Sequence, residues 1–141
     1  MIDQVLEKYP NDVKVLIKNF PLSFHKQAMK AARYALAADK QGKYKEMYHA
    51  IMKDFRKLKT NEDMPLDIAA TMGMDVEKLK ADADDPAIQA QIDKEIDQLK
   101  KSGIPRLAVP KFLVAGKEPQ GRDIAAFSKI IDEELKKKKG K

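Results

Sequence analysis

Only two runs in this sequence have the composition of a β-strand, and they stand near its opposite ends. Val13-Lys14-Val15-Leu16-Ile17-Lys18-Asn19-Phe20 is β-branched and mostly apolar, and Pro21 ends it. Lys111-Phe112-Leu113-Val114-Ala115 is the second run, and Gly116-Lys117 reads as a turn into a short partner strand. Between them the apolar residues recur at helical spacing. A chain so patterned has few strands to share among many helices, so the expected class is α/β but mostly helical by residue count.

The helical segments announce their ends. Ile2, Val5, Leu6 and Tyr9 mark one face, stopped by Pro10-Asn11-Asp12. Ser23 reads as the cap of an alanine-rich helix over 24–41, with Gly42 as its stop. Residues 43–58 are the clearest amphipathic segment, with Tyr44, Met47, Tyr48, Ile51, Met52, Phe55 and Leu58 on one face. Pro65–Met72 and residues 76–82 read as short helices, the second capped by Asp75. Asp84-Asp85-Pro86 opens a helix whose Ile88, Ile92, Ile96 and Leu99 share a face up to Gly103. Asp123 caps the last, with Ile124, Phe127, Ile130, Ile131 and Leu135 facing inward.

Composition removes several kinds of chemistry. The 141 residues contain no cysteine, so disulfides, thiolate metal sites and thiol nucleophiles are all excluded for this polypeptide. His25 and His49 are its two histidines, too far apart in sequence for a metal motif. They read as structural or surface residues, and no Ser-His-Asp arrangement is recognisable. The pairs Asp84-Asp85 and Glu133-Glu134 are explained by a cap and a solvated helix end. No glycine-rich phosphate loop is present. No catalytic residue, metal ligand or cofactor is therefore expected. Met47, Met52, Met64, Met72 and Met74 read first as core and second as an adaptable peptide groove.

The net charge is +6, of which Lys136 to Lys139 and Lys141 supply five. The basicity belongs to a tail, which reads as a frayed, solvated end. The body has no basic stripe with interleaved aromatics, so specific nucleic-acid binding is not expected. No run of apolar residues is long enough to span a bilayer.

Particular residues then become recognisable. Asn19-Phe20-Pro21-Leu22-Ser23-Phe24-His25, followed by Ala28, Ala31-Ala32 and Ala35, resembles the start of the helical region in DsbA-like thioredoxin-fold oxidoreductases. Gln41-Gly42-Lys43-Tyr44 with Met47-Tyr48-His49, and Met72-Gly73-Met74-Asp75, resemble two further stretches. Val109-Pro110-Lys111-Phe112-Leu113-Val114-Ala115-Gly116-Lys117 resembles that family's proline loop and following strand. The resemblance covers nearly the whole chain. It implies an incomplete thioredoxin-like fold with a large helical insertion. Residues 1–23 and 103–135 would form the core, 24–102 the inserted helical subdomain and 136–141 a basic tail.

The resemblance also implies a cis peptide at Val109-Pro110, and a peptide-binding groove there built on Val109 and Pro110. It implies that the family's C-x-x-C motif and a central strand would lie upstream of Met1. On that basis the chain is expected to be redox-inactive as given, with an unfolded peptide or protein as partner. A homo-oligomer closing the gap in the sheet is expected as well. One alternative makes the chain the C-terminal portion of a thiol-disulfide oxidoreductase. Another makes it a basic-tail adaptor for nucleic acid or an anionic membrane. Lacking a signal peptide as written, it is expected in the cytoplasm, or in the periplasm if the N-terminus is incomplete.

Overall fold

The computed structural model describes residues 1–105 and 107–140; Arg106 of the approach to Pro110 and Lys141 of the tail lie outside the described residues. Among the described residues the secondary structure is helical. The helices are α1 (Ile2–Lys8), α2 (Lys26–Asp39), α3 (Tyr44–Lys53), a 3-10 helix (Phe55–Lys59), α4 (Met64–Thr71), α5 (Val76–Ala83), α6 (Pro86–Lys101) and α7 (Ile124–Lys139). They divide into two compact units, one of Met1–Ile17 with Pro105–Lys141 and one of Lys18–Ile104.

The Lys18–Ile104 unit is built around α2, which packs against α3, α4, α5 and α6. Ala31, Ala35, Ala37 and Ala38 are buried, and their small side chains let the neighbouring helices approach closely. Met47, Leu79 and Ile92 fill the interior. Burying an apolar side chain of that size contributes about 1.5–3 kcal/mol. Caps fall where the aspartates stand: Asp75 accepts the Lys78 N–H at 2.9 Å and Asp85 accepts the Ala87 N–H at 2.8 Å. Each such cap is worth about 1 kcal/mol.

Two helix limits differ from the sequence expectation. Ser23 caps nothing, because the His25 N–H first closes a turn onto the Leu22 carbonyl at 3.0 Å. α2 therefore starts at Lys26, with His25 at its cap position and no side-chain bond there. The helix expected over 43–58 breaks at Asp54, whose backbone leaves the helical region at φ −120°, ψ 23°. The chain tightens there into the 3-10 helix, with the Lys57 N–H closing onto the Asp54 carbonyl at 2.8 Å. The seven apolar residues consequently separate: Met47, Ile51 and Leu58 are buried, whereas Met52 and Phe55 are exposed.

The other unit pairs α1 with α7. Val5 and Tyr9 pack on Phe127 and Ile131. Tyr9 donates its hydroxyl to Asp132 at 2.8 Å, and Lys8 donates to the buried Ser128 hydroxyl at 2.8 Å. Asp123 caps α7 by accepting the Ala126 N–H at 2.8 Å. Val13, Phe112 and Val114 pack onto this helix pair, with the Phe112 ring edge-on to Phe127 at 5.4 Å.

The runs 13–20 and 111–115, expected as strands, form no strand among the described residues. β-Pairing there is confined to the isolated antiparallel bridge between Val114 and Lys117. The reason is physical: a strand is a pairing, and neither run has a lateral neighbour to supply one. The bridge closes a tight turn, with Val114 N–H to Lys117 O at 2.8 Å and Lys117 N–H to Val114 O at 2.9 Å. Its central residues, Ala115 (φ 49°) and Gly116 (φ 80°), both lie in the left-handed region. Glycine adopts that conformation freely; alanine pays for its Cβ. Ala115→Gly is therefore expected to stabilise the fold by up to about 1 kcal/mol, read from urea unfolding. Unchanged or lower stability would mean that the turn carries no such strain.

Candidate functional site

The resemblance singled out Val109 and Pro110. The Val109–Pro110 peptide is cis, Val109 is half-buried and Pro110 is exposed. The Pro110 carbonyl accepts from the Arg122 guanidinium at 3.5 Å, whereas no hydrogen bond to Val109 is made among the described residues. Just beyond, the Lys111 side chain is largely buried and donates to Glu118 at 2.7 Å and to the Pro105 carbonyl at 3.4 Å. Arg122, Lys111 and Glu118 thus brace the proline from both sides. Sequence reasoning missed all three. The turn at Gly116-Lys117 was the available signal that 111 and 118 would meet.

What surrounds the proline is a supply of unspent backbone. Among the described residues, no backbone–backbone hydrogen bond involves residues 14–17 or 107–113. The side chains of these stretches alternate. Val13, Phe112 and Val114 point into the α1–α7 pair, and Leu16 (71% exposed) and Leu113 (47%) point away from it. Ile17 and Leu107 are exposed as well. Main-chain groups without backbone partners thus run alongside exposed leucines.

The electrostatics of this unit centre on Glu134 of α7. The ammonium groups of Lys137 (2.7 Å) and Lys117 (2.9 Å) hold its carboxyl down at about 2. Lys117 is correspondingly raised, chiefly by that same bond. The pair ties the 114–117 turn to α7. Glu134 has a folded value below its ordinary one, so its stabilising contribution is present above about pH 4.5 and is lost as pH falls toward 2. A carbon-13 titration should find the Glu134 carboxyl near 2, returning toward its ordinary value in Lys117→Gln/Lys137→Gln. An ordinary titration in the parent protein would rule the clamp out.

In the Lys18–Ile104 unit the sequence pattern missed Glu95, which lies among the isoleucines of α6 and is 6% exposed. Its carboxylate accepts the Asn19 backbone N–H at 2.6 Å, the Asn19 side-chain amide at 3.0 Å and the Gln91 amide at 3.2 Å. A buried carboxylate is tolerable when donors surround it in this way. Its effect is to anchor the chain at Asn19 to α6.

The remaining candidates sit apart. His25 is exposed and lies against Phe24 at 4.6 Å; His49 is exposed and lies edge-on to Tyr48 at 5.6 Å. Among the described residues no three His, Cys, Asp or Glu side chains cluster as a metal site. Of the methionines, Met47 and Met64 are buried and Met74 packs against the core. Met64 and Met72, with Ala50 and Ile68, also line a groove of about 530 Å³. Its rim groups are spent on one another, Asp54 with Lys57 and Asn61 with Asp67. No helix among the described residues is long and apolar enough to cross a membrane.

The sequence profile of the DSBA-like thioredoxin domain matches residues 2–131, and the chain belongs to that family. No curated protein and no solved structure matches it. Family membership stands beside the composition: a DSBA-like domain with no cysteine anywhere in this sequence.

Proposed function

We propose that this chain is a redox-inactive DsbA-like domain that binds extended, unfolded peptide segments beside Val109 and Pro110. Residues 1–23 and 103–135 would serve as its thioredoxin-like core, 24–102 as a helical insertion and 136–141 as a basic tail. Dithiol–disulfide exchange proceeds by thiolate attack on a disulfide sulfur, and this polypeptide has no sulfur nucleophile to offer. Peptide capture needs no cysteine. The observation that carries the reading is the run 107–113, which makes no backbone–backbone hydrogen bond among the described residues, contains the cis peptide and exposes Leu107 and Leu113. A peptide laid there would gain main-chain hydrogen bonds and cover apolar side chains.

The test is a nitrogen-15 NMR titration with unfolded, apolar-rich peptides. Saturable shifts are expected at residues 107–113. Leu113→Asp should weaken binding about tenfold, the scale of one apolar contact. Silence at 107–113 would count decisively against the reading.

The same unpaired stretches favour a second reading, a homo-oligomer in which a second copy covers residues 14–17 and 107–113. Leu16 and Ile17, exposed beside those backbone groups, are what such a contact would bury. Light scattering coupled to size exclusion should find a dimer that Leu16→Asp dissociates. A monomer at every concentration would exclude it.

A further inference from the structure

α3 displays more apolar surface than its unit consumes. Met47 and Ile51 are buried on one side. Beside them runs a second row at four-residue steps, Tyr44, Tyr48 and Met52, and Phe55 follows in the 3-10 helix. Tyr44 is half-buried and packs on the core, and its ring stacks on Tyr48 at 6.2 Å, nearly parallel at 8°. From there the row opens to solvent: Met52 is 52% exposed and Phe55 is 50% exposed, with the Arg56 guanidinium 5.9 Å from the Phe55 ring centre.

The charge around this row is lopsided. Residues 43–59 hold six cations against Glu46 and Asp54, a net +4. The five tail lysines account for +5 of the chain's +6, which leaves −3 for everything else. Lys43 is spent on Glu46 and Lys57 on Asp54. Among the described residues, Lys53, Arg56 and Lys59 have no carboxylate partner. A protein that is otherwise acidic outside its tail therefore carries unneutralised cations in the same stretch of chain as its exposed aromatic and methionine side chains, with Arg56 over Phe55.

That composition, with Tyr, Phe, Met and Arg at the centre, is the signature of a protein-binding patch. A lipid surface is the poorer fit, because membrane affinity scales with the apolar area inserted and only a few side chains protrude here. The row spacing matches the ridge of one helix packing against another. We propose that the Tyr48–Met52–Phe55 row is a docking site for an acidic amphipathic helix of a partner protein. The apolar side of that helix would lie on the row, and its carboxylates would meet Lys53, Arg56 and Lys59.

The experiment uses the full chain and two designed helical peptides, leucine-striped on one face and carrying either glutamates or lysines on the flanks. Fluorescence anisotropy should show saturable binding of the glutamate peptide, weakening with salt, and none of the lysine peptide. Lys53→Glu/Arg56→Glu/Lys59→Glu should lose at least tenfold for the first peptide and gain for the second. These residues lie on the surface, and circular dichroism verifies that the helices persist. Met52→Ser/Phe55→Ser should lose a similar factor. Replacing Lys136–Lys139 by glutamine should change nothing. The proposal is overturned by glutamate-peptide binding that follows the tail lysines, by binding indifferent to the charge reversal, or by none at all. Preference for phosphatidylglycerol vesicles over the peptide would replace the partner helix with a membrane.

Discussion

Every residue except proline brings one backbone donor and one acceptor to be satisfied, and in this chain the helices do nearly all of that work internally. The segments that are not helical have no comparable means. Residues 14–17 and 107–113 carry several β-type side chains, and Phe112, with the adjoining Val13 and Val114, finds a home against α1 and α7. The main-chain groups of those two stretches find no backbone partner among the described residues. An apolar layer is thus fixed on one side by Val13, Phe112 and Val114 while its lateral hydrogen bonding stays open. That imbalance exposes Leu16 and Leu113, and it isolates the Val114–Lys117 bridge. It also leaves the backbone around Val109 and Pro110 without main-chain partners among the described residues.

The sequence was most informative where a decision is local. Asp75, Asp85 and Asp123 each cap the helix that their spacing announces, since a cap involves only a side chain and N–H groups two or three residues on. It was least informative where the outcome depends on a distant neighbour. The composition of Val13–Phe20 is that of a strand, but no neighbouring strand pairs with it among the described residues. Asp54 sits between these cases. The apolar periodicity ran through it, and the backbone nonetheless tightens there into a 3-10 turn. Val109 and Pro110 were legible through resemblance alone. Of the residues around the proline loop, Lys111 and Glu118 were hinted at by the turn at Gly116-Lys117, whereas nothing in the spacing brings Arg122 to the Pro110 carbonyl.

Absence of cysteine narrows the chemistry of the chain without narrowing its capacity for recognition. The parts of a DSBA-like domain that act through shape and backbone do not depend on sulfur. A bent loop, an apolar rim and main chain without backbone partners require no cysteine. The basic, aromatic row of α3 belongs to the other unit and has a different character, being built on side chains and charge.

The two units differ in how the chain composes them. Lys18–Ile104 is one continuous stretch, whereas its counterpart joins Met1–Ile17 to Pro105–Lys141. During synthesis from the ribosome the continuous unit is complete before α7 has emerged. The first segment must then wait, with Val5 and Tyr9 uncovered, until Phe127 and Ile131 arrive. Closing so long a loop is entropically expensive for a disordered chain. A folded intervening unit lowers that cost, and the bond from Glu95 to Asn19 fixes the point at which the earlier segment departs. A buried carboxylate on a distant helix thereby bears on the order of assembly: the discontinuous unit is the slower to form and, until it forms, the more exposed to aggregation and to proteases.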